Sequence, residues 1–215
     1  MNKIIKLLIL YSSLLLHCCK GHKVNIVPDD NQSHNRSKRS LDNKQKETDI
    51  KVKKENITLT AEEQKKFKSL NFALEKVIEK LQNQIAGCQN DKSKCTNFFN
   101  WISKNEHKQK QKELANAFTK VYDFLEKKRQ KKAHDKDFDT YISDAIECQV
   151  NNHDCNKDNK YGNDDNEIEK FFRGILNDMS LKDNNEKMFE CLKKELLCTD
   201  DSNKHFDGLT TNWQD

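Results

Sequence analysis

Residues 59–86 read LTAEEQKKFKSLNFALEKVIEKLQNQIA, and this stretch decides the fold class. Thr60 followed by Glu63 is a capping box: the hydroxyl accepts from the Glu63 amide while the Glu63 carboxylate reaches back to the Thr60 amide. Phe67, Leu70, Leu74, Val77, Leu81 and Ile85 then recur in steps of three and four, which lays them along one side of an α-helix. Gly87 is the predicted stop.

The same pattern repeats downstream. Phe98, Phe99, Trp101 and Ile102 form an apolar knot on a short helix begun near Thr96. A third helix carries Leu114, Phe118, Val121, Tyr122 and Leu125. A fourth carries Phe138, Tyr141, Ile142, Ala145 and Ile146, capped near Asp135 or Asp137. A fifth opens at Asp164, with Glu167 three residues on, and carries Ile168, Phe171, Phe172, Ile175, Leu176 and Met179. A sixth carries Met188, Phe189, Leu192 and Leu196. Nothing alternates with period two for long. The expected fold is all-α: a small bundle of about five or six amphipathic helices over residues 59–198, behind a disordered N-terminal tether. Residues 199–215 are expected to form a polar C-terminal tail.

Composition agrees. The 215 residues are 34% hydrophobic and 34% charged, with five Gly and one Pro, and the mean hydropathy is −1.04. An apolar share this far below about 45–50% leaves room for one modest core. No apolar run reaches the length of a membrane span. Scarce Gly and Pro exclude a turn-rich all-β fold and Gly-rich phosphate loops.

Upstream of the bundle, residues 1–18 read as a lipoprotein signal peptide. Lys3 and Lys6 give a short basic start, and the mostly apolar stretch Ile4 to Leu16 runs up to His17 and the Cys18-Cys19 pair. A Cys placed there, with Leu three residues before it, is a lipobox: the thiol is diacylated and the chain is cut before it. Cutting before Cys19 puts Leu16 at −3 and Cys18 at −1, whereas cutting before Cys18 puts bulky His17 at −1. Cys19 is therefore the favoured lipidation site and Cys18 the less favoured one. Residues 19–58, rich in Lys, Asn, Asp, Ser and Gln, read as the tether. A flexible spacer of this length spans about 35 Å on average. Its Arg36-Ser37-Lys38-Arg39 cluster reads as solvated charge, and its three Asn-X-Ser/Thr matches read as chance.

Six cysteines remain in the body: Cys88/Cys95, Cys148/Cys155 and Cys191/Cys198, each pair spaced C-x6-C. All six are candidate disulfide partners. GCQNDKSKC and ECQVNNHDC carry loop formers between their cysteines, and closing such a loop contributes about 2.5 kcal/mol on the chain-entropy estimate. ECLKKELLC differs, because its interior favours helix. A helical step of seven residues separates Cα atoms by about 10.5 Å, too far for a disulfide. Either that helix ends early or Cys191 and Cys198 pair elsewhere.

Catalytic and metal patterns are sparse. Cys148, His153 and Cys155, with Asp154 nearby, lack zinc spacing and an evident fourth ligand, so no metal is expected. There is no GxSxG, HExxH, Walker loop or GxGxxG. No cofactor and no enzymatic activity are expected, and His107 and His134 read as surface residues. Charge is unevenly distributed: net +4 over 20–58, +8 over 59–132 and −10 over 133–215. The two halves of the body are placed to attract each other. Lys127, Lys128, Arg129, Lys131 and Lys132 form a basic run at a helix end and are the candidate contacts for a polyanion such as a glycosaminoglycan. The alternative is an ordinary solvated helix end, where cations oppose the dipole. No nucleic-acid partner is expected.

The chain resembles the multicopy lipoprotein (Mlp) family of spirochaetal surface lipoproteins. The resemblance is carried by the lipobox at Cys19, the stretch ending RSKRSL (36–41), LTAEEQKKFKSL (59–70), VIEKLQNQIAGC (77–88), KCTNFFNWI (94–102) and KELANAFTKVYDFLEKK (112–128). It implies a lipid-anchored outer-membrane protein at the cell surface with a role in host interaction or immune evasion. It carries over no catalytic residue, and only the lipidated cysteine transfers, onto Cys19. The alternatives are a polyanion-binding adhesin using the basic half 59–132 and a periplasm-facing structural lipoprotein.

Overall fold

The computed structural model describes residues 57–89, 91–151, 153–197 and 204–214. The signal peptide, Cys18, Cys19 and nearly all of the tether lie outside the described residues. Among those described are seven α-helices: α1 (Ala61–Leu81), α2 (Lys92–Ile102), α3 (Lys108–Lys132), α4 (Phe138–Asn151), α5 (Glu167–Ser180), α6 (Asn185–Leu197) and α7 (Lys204–Asn212). No strand occurs among them. The all-α expectation therefore holds.

The capping box forms as read: the Glu63 amide donates to Thr60 Oγ1 at 3.1 Å and the Thr60 amide donates to Glu63 at 2.8 Å. The α1 stripe from Phe67 to Leu81, and Ile85 beyond it, is at most 7% exposed. α1 is the central element and packs on α3, α4 and α5. α6 closes over α3 and α5, and α7 lies on α5. Aromatic pairs join these layers. Tyr122 stacks on Phe138 with centroids 4.2 Å apart, linking α3 to α4. Phe118 meets Phe172 at 6.2 Å, linking α3 to α5.

Several boundaries differ from the sequence reading, each for a local reason. α1 ends at Leu81, and a 3-10 turn at Gln82–Gln84 delivers Ile85 into the core. Gly87 does more than stop a helix. Its amide donates to Ser180 Oγ at 3.1 Å, and a Cβ there would stand 2.2 Å from the Ser180 carbonyl oxygen. Only glycine lets this corner lie against the end of α5. α2 begins at Lys92 rather than near Thr96, because Asp91 accepts from the Ser93 amide at 2.9 Å. Asp137 caps α4, accepting from the Thr140 amide at 2.8 Å. α5 opens at Asn166, not Asp164: Asn166 Oδ1 accepts from the Glu169 amide at 3.0 Å while its Nδ2 donates to the Ala145 carbonyl at 2.5 Å. One buried side chain thus caps α5 and ties it to α4.

The largest correction concerns residues 199–215, read as a polar tail. Lys204–Asn212 is helix α7, and Leu209 and Trp213 are each 1% exposed. Phe206, Leu209 and Trp213 recur at steps of three and four, so even this polar segment has one apolar edge. That edge docks on Phe124 of α3, whose ring lies 6.2 Å from Phe206 and 6.1 Å from Trp213.

Candidate functional sites

The cysteines behave according to what lies between them. Cys88 and Cys95 form a disulfide with Cα atoms 6.0 Å apart, closing the corner between α1 and α2. Cys148 is also disulfide-bonded; the side chain of Cys155 lies outside the described residues. Cys191 is a free, half-buried thiol, which corrects its reading as a disulfide partner. The residues that follow it favour helix, as the sequence reading noted, and α6 stays helical through Leu197. Cys198 lies outside the described residues. Burial pushes the Cys191 thiol up, and the Asp178 and Glu195 carboxylates reinforce this. The thiol therefore stays protonated at neutral pH and is a poor nucleophile.

The basic run at the end of α3 does not present one cationic face. Lys128 is 3% exposed. Its ammonium lies 5.3 Å from the Phe124 ring centre and 5.1 Å from that of Trp213, a cation–π clasp under α7. This corrects its reading as a polyanion contact. Arg129 is half-buried, held by Glu126 at 2.7–2.8 Å and donating to the Lys136 carbonyl at 2.5 Å. Lys132 is exposed but donates to the Asp158 carbonyl at 3.0 Å. Lys127 and Lys131 are exposed. The opposed halves do meet across the bundle: Lys76 pairs with Glu147 at 2.8 Å and Lys110 with Glu186 at 3.2 Å.

A groove of about 640 Å³ runs beside α1 and the start of α3. Its lining includes the apolar Leu59, Phe67 and Phe72 and the polar Asn71, Ser103 and Gln111. Gln111 is held in place by donating to the Ile102 and Lys104 carbonyls at 2.8 and 3.0 Å. Asn71 Oδ1 is buried with no hydrogen-bond partner. Burial raises the Glu75 carboxyl on the groove edge. Such a lining suits an amphipathic group that brings a hydrogen-bond donor. No local pattern announces it, because its residues come mainly from α1, the α2–α3 connection and the start of α3 and join only through packing. His107, read as a surface residue, packs its ring on Trp101 with centroids 4.2 Å apart. His134 is exposed.

The Mlp lipoprotein family model matches residues 30–192, most of the chain. The chain belongs to the Mlp lipoprotein family. Within it, lipoprotein MlpJ of Borreliella burgdorferi is 48% identical over 214 residues, covering 99% of each chain. Lipoprotein MlpB of the same organism is 38% identical over 219 residues, covering 98% of each. No solved structure matches. Among the described residues of this Mlp lipoprotein, no helix is long and apolar enough to cross a membrane.

Proposed function

We propose that this Mlp lipoprotein is a non-enzymatic, lipid-anchored protein of the outer membrane. Its helical body is presented at the cell surface for host interaction or immune evasion. One observation carries the reading: a lipobox ending at Cys19 stands ahead of a body stapled by the Cys88–Cys95 disulfide. Disulfides persist outside the reducing cytoplasm, which suits an exported chain. Two or three acyl chains on Cys19 anchor stably, each buried methylene contributing about 0.8 kcal/mol. Cleavage before Cys19 removes residues 1–18, and the tether then supplies reach. The body supplies a rigid surface.

The polyanion-adhesin reading has less support, because Lys128 is buried and Arg129 and Lys132 are engaged within the chain. Palmitate labelling of cells producing the wild type, Cys18→Ala or Cys19→Ala chains tests the anchor. Label is expected to disappear in Cys19→Ala alone; label that persists there moves the anchor to Cys18. External protease on intact cells tests the face, with digestion of the body expected. Survival of the body under an intact envelope favours the periplasm-facing role. Weak retention on heparin, unchanged when Lys127 and Lys131 become Gln, is also expected.

A further inference from the structure

Three side chains from three helices converge at the C-terminal corner: Asp178 of α5, Glu195 of α6 and His205 of α7. One donor atom from each lies within 4.8 Å of the others, and all three residues are half-buried. His205 Nε2 stands 2.8 Å from Asp178 Oδ2. Bonds of about 2.1 Å in a tetrahedral shell set donors about 3.4 Å apart. That spacing falls between the 2.8 Å His205–Asp178 contact and the 4.8 Å bound on the group. Small side-chain rotations are enough to place all three on one ion.

The backbone is shaped for the imidazole. Gly174 lies one turn before Asp178 on α5. A Cβ at Gly174 would stand 2.5 Å from His205 Cε1 and Nδ1. Glycine inside a helix costs about 1 kcal/mol relative to alanine. Here its missing side chain is the space the ring occupies. Two features therefore agree: a donor set of mixed chemistry, and a helix surface cut away to seat the nitrogen ligand.

We propose that Asp178, Glu195 and His205 bind a divalent transition-metal cation of the zinc type. One imidazole with two carboxylates is a borderline donor set that favours zinc over the all-oxygen partners of calcium or magnesium. Two carboxylates and a neutral imidazole also balance a dication, so a half-buried ion leaves no net charge. Water completes the shell. The ion joins α5, α6 and α7, and so fixes the helix whose cysteine neighbour, Cys191, makes no disulfide.

The test uses the full chain in detergent, stripped with a chelator and titrated with zinc against a chromophoric competitor. One tight zinc per chain is expected, together with a rise in Tm. Calcium and magnesium are expected not to compete. Losing an outer-shell partner weakens metal affinity by about 10–100-fold, so Asp178→Asn and His205→Gln should each weaken zinc by at least that lower bound. Gly174→Ala, which alters no ligand, is expected to weaken it as well by crowding the ring. Far-UV circular dichroism shows whether each variant folds. In the wild type, zinc is expected to shift the His205 imidazole nitrogen resonances, a readout that needs no variant. Binding only at millimolar zinc, undiminished binding in folded variants, or shifts confined to other histidines would overturn the site.

Discussion

Two corners of the molecule share one cysteine spacing and end up held by different chemistry. At the first, GCQNDKSKC, the residues between Cys88 and Cys95 favour turns, the chain leaves α1, and a disulfide between two fully buried cysteines closes the bend. At the last, ECLKKELLC, the intervening residues favour helix, α6 continues to Leu197, and Cys191 remains a thiol. The C-terminal corner is held instead by side chains: Trp213 and Phe124 around the Lys128 ammonium, and His205 against Asp178. Spacing proposes a bond, but the conformation of the residues between decides whether it forms.

The most severe way to break the comparison is at the clasp. Trp213→Ala removes a fully buried indole and uncovers Lys128, and should cost about 3–5 kcal/mol in urea unfolding. A loss below about 1 kcal/mol would mean that α7 is not part of the cooperative unit. Next comes the staple. Cys88→Ser combined with Cys95→Ser should cost about 2.5 kcal/mol, whereas Cys191→Ala should change stability by less than about 1 kcal/mol. Equal costs at the two corners would erase the distinction. Asn166→Ala should cost about 2 kcal/mol, since it deletes the α5 cap and the buried bond that ties α5 to the Ala145 carbonyl of α4.

The smallest effects come from pH. Lys193 holds the Glu113 carboxyl below its ordinary value, and Lys76 does the same for Glu147. A carboxyl lowered by folding stabilises the native state above its unfolded pKa, and that contribution is lost as pH falls through the folded value. These pairs are partly solvated, so each is worth about 0.2–1 kcal/mol. Glu169 works in the opposite direction. Burial raises its carboxyl despite Arg173, so its contribution diminishes as pH rises above the ordinary carboxylate range. Denaturation midpoints measured from mild acid to neutrality should therefore show a shallow fall on acidification. A rise on acidification would mean that Glu169 dominates.

Much of the bundle was legible because its apolar residues repeat over three or more turns within a single helix. Phe67, Leu70, Leu74, Val77 and Leu81 identified α1, and each of the five is buried. The unlike character of the third cysteine pair was legible too, from Lys193-Lys194-Glu195 between its members. α7 was missed because only Phe206, Leu209 and Trp213 signal it, amid Asp, Thr and Asn. The burial of Lys128 was hidden because its cover arrives from the far end of the chain. Asp178, Glu195 and His205 stand on separate helices, so no local motif could announce them. The groove beside Asn71 was hidden for the same reason. Local periodicity encodes helices, whereas sites built between helices depend on how those helices pack.

Peptide mapping of the alkylated chain under non-reducing conditions tests the contrast most directly. A crosslinked peptide pair joining Cys88 to Cys95, together with Cys191 recovered as its alkylated thiol, is the predicted result. Cys88 linked to any other residue, or Cys191 found in a disulfide, would contradict it.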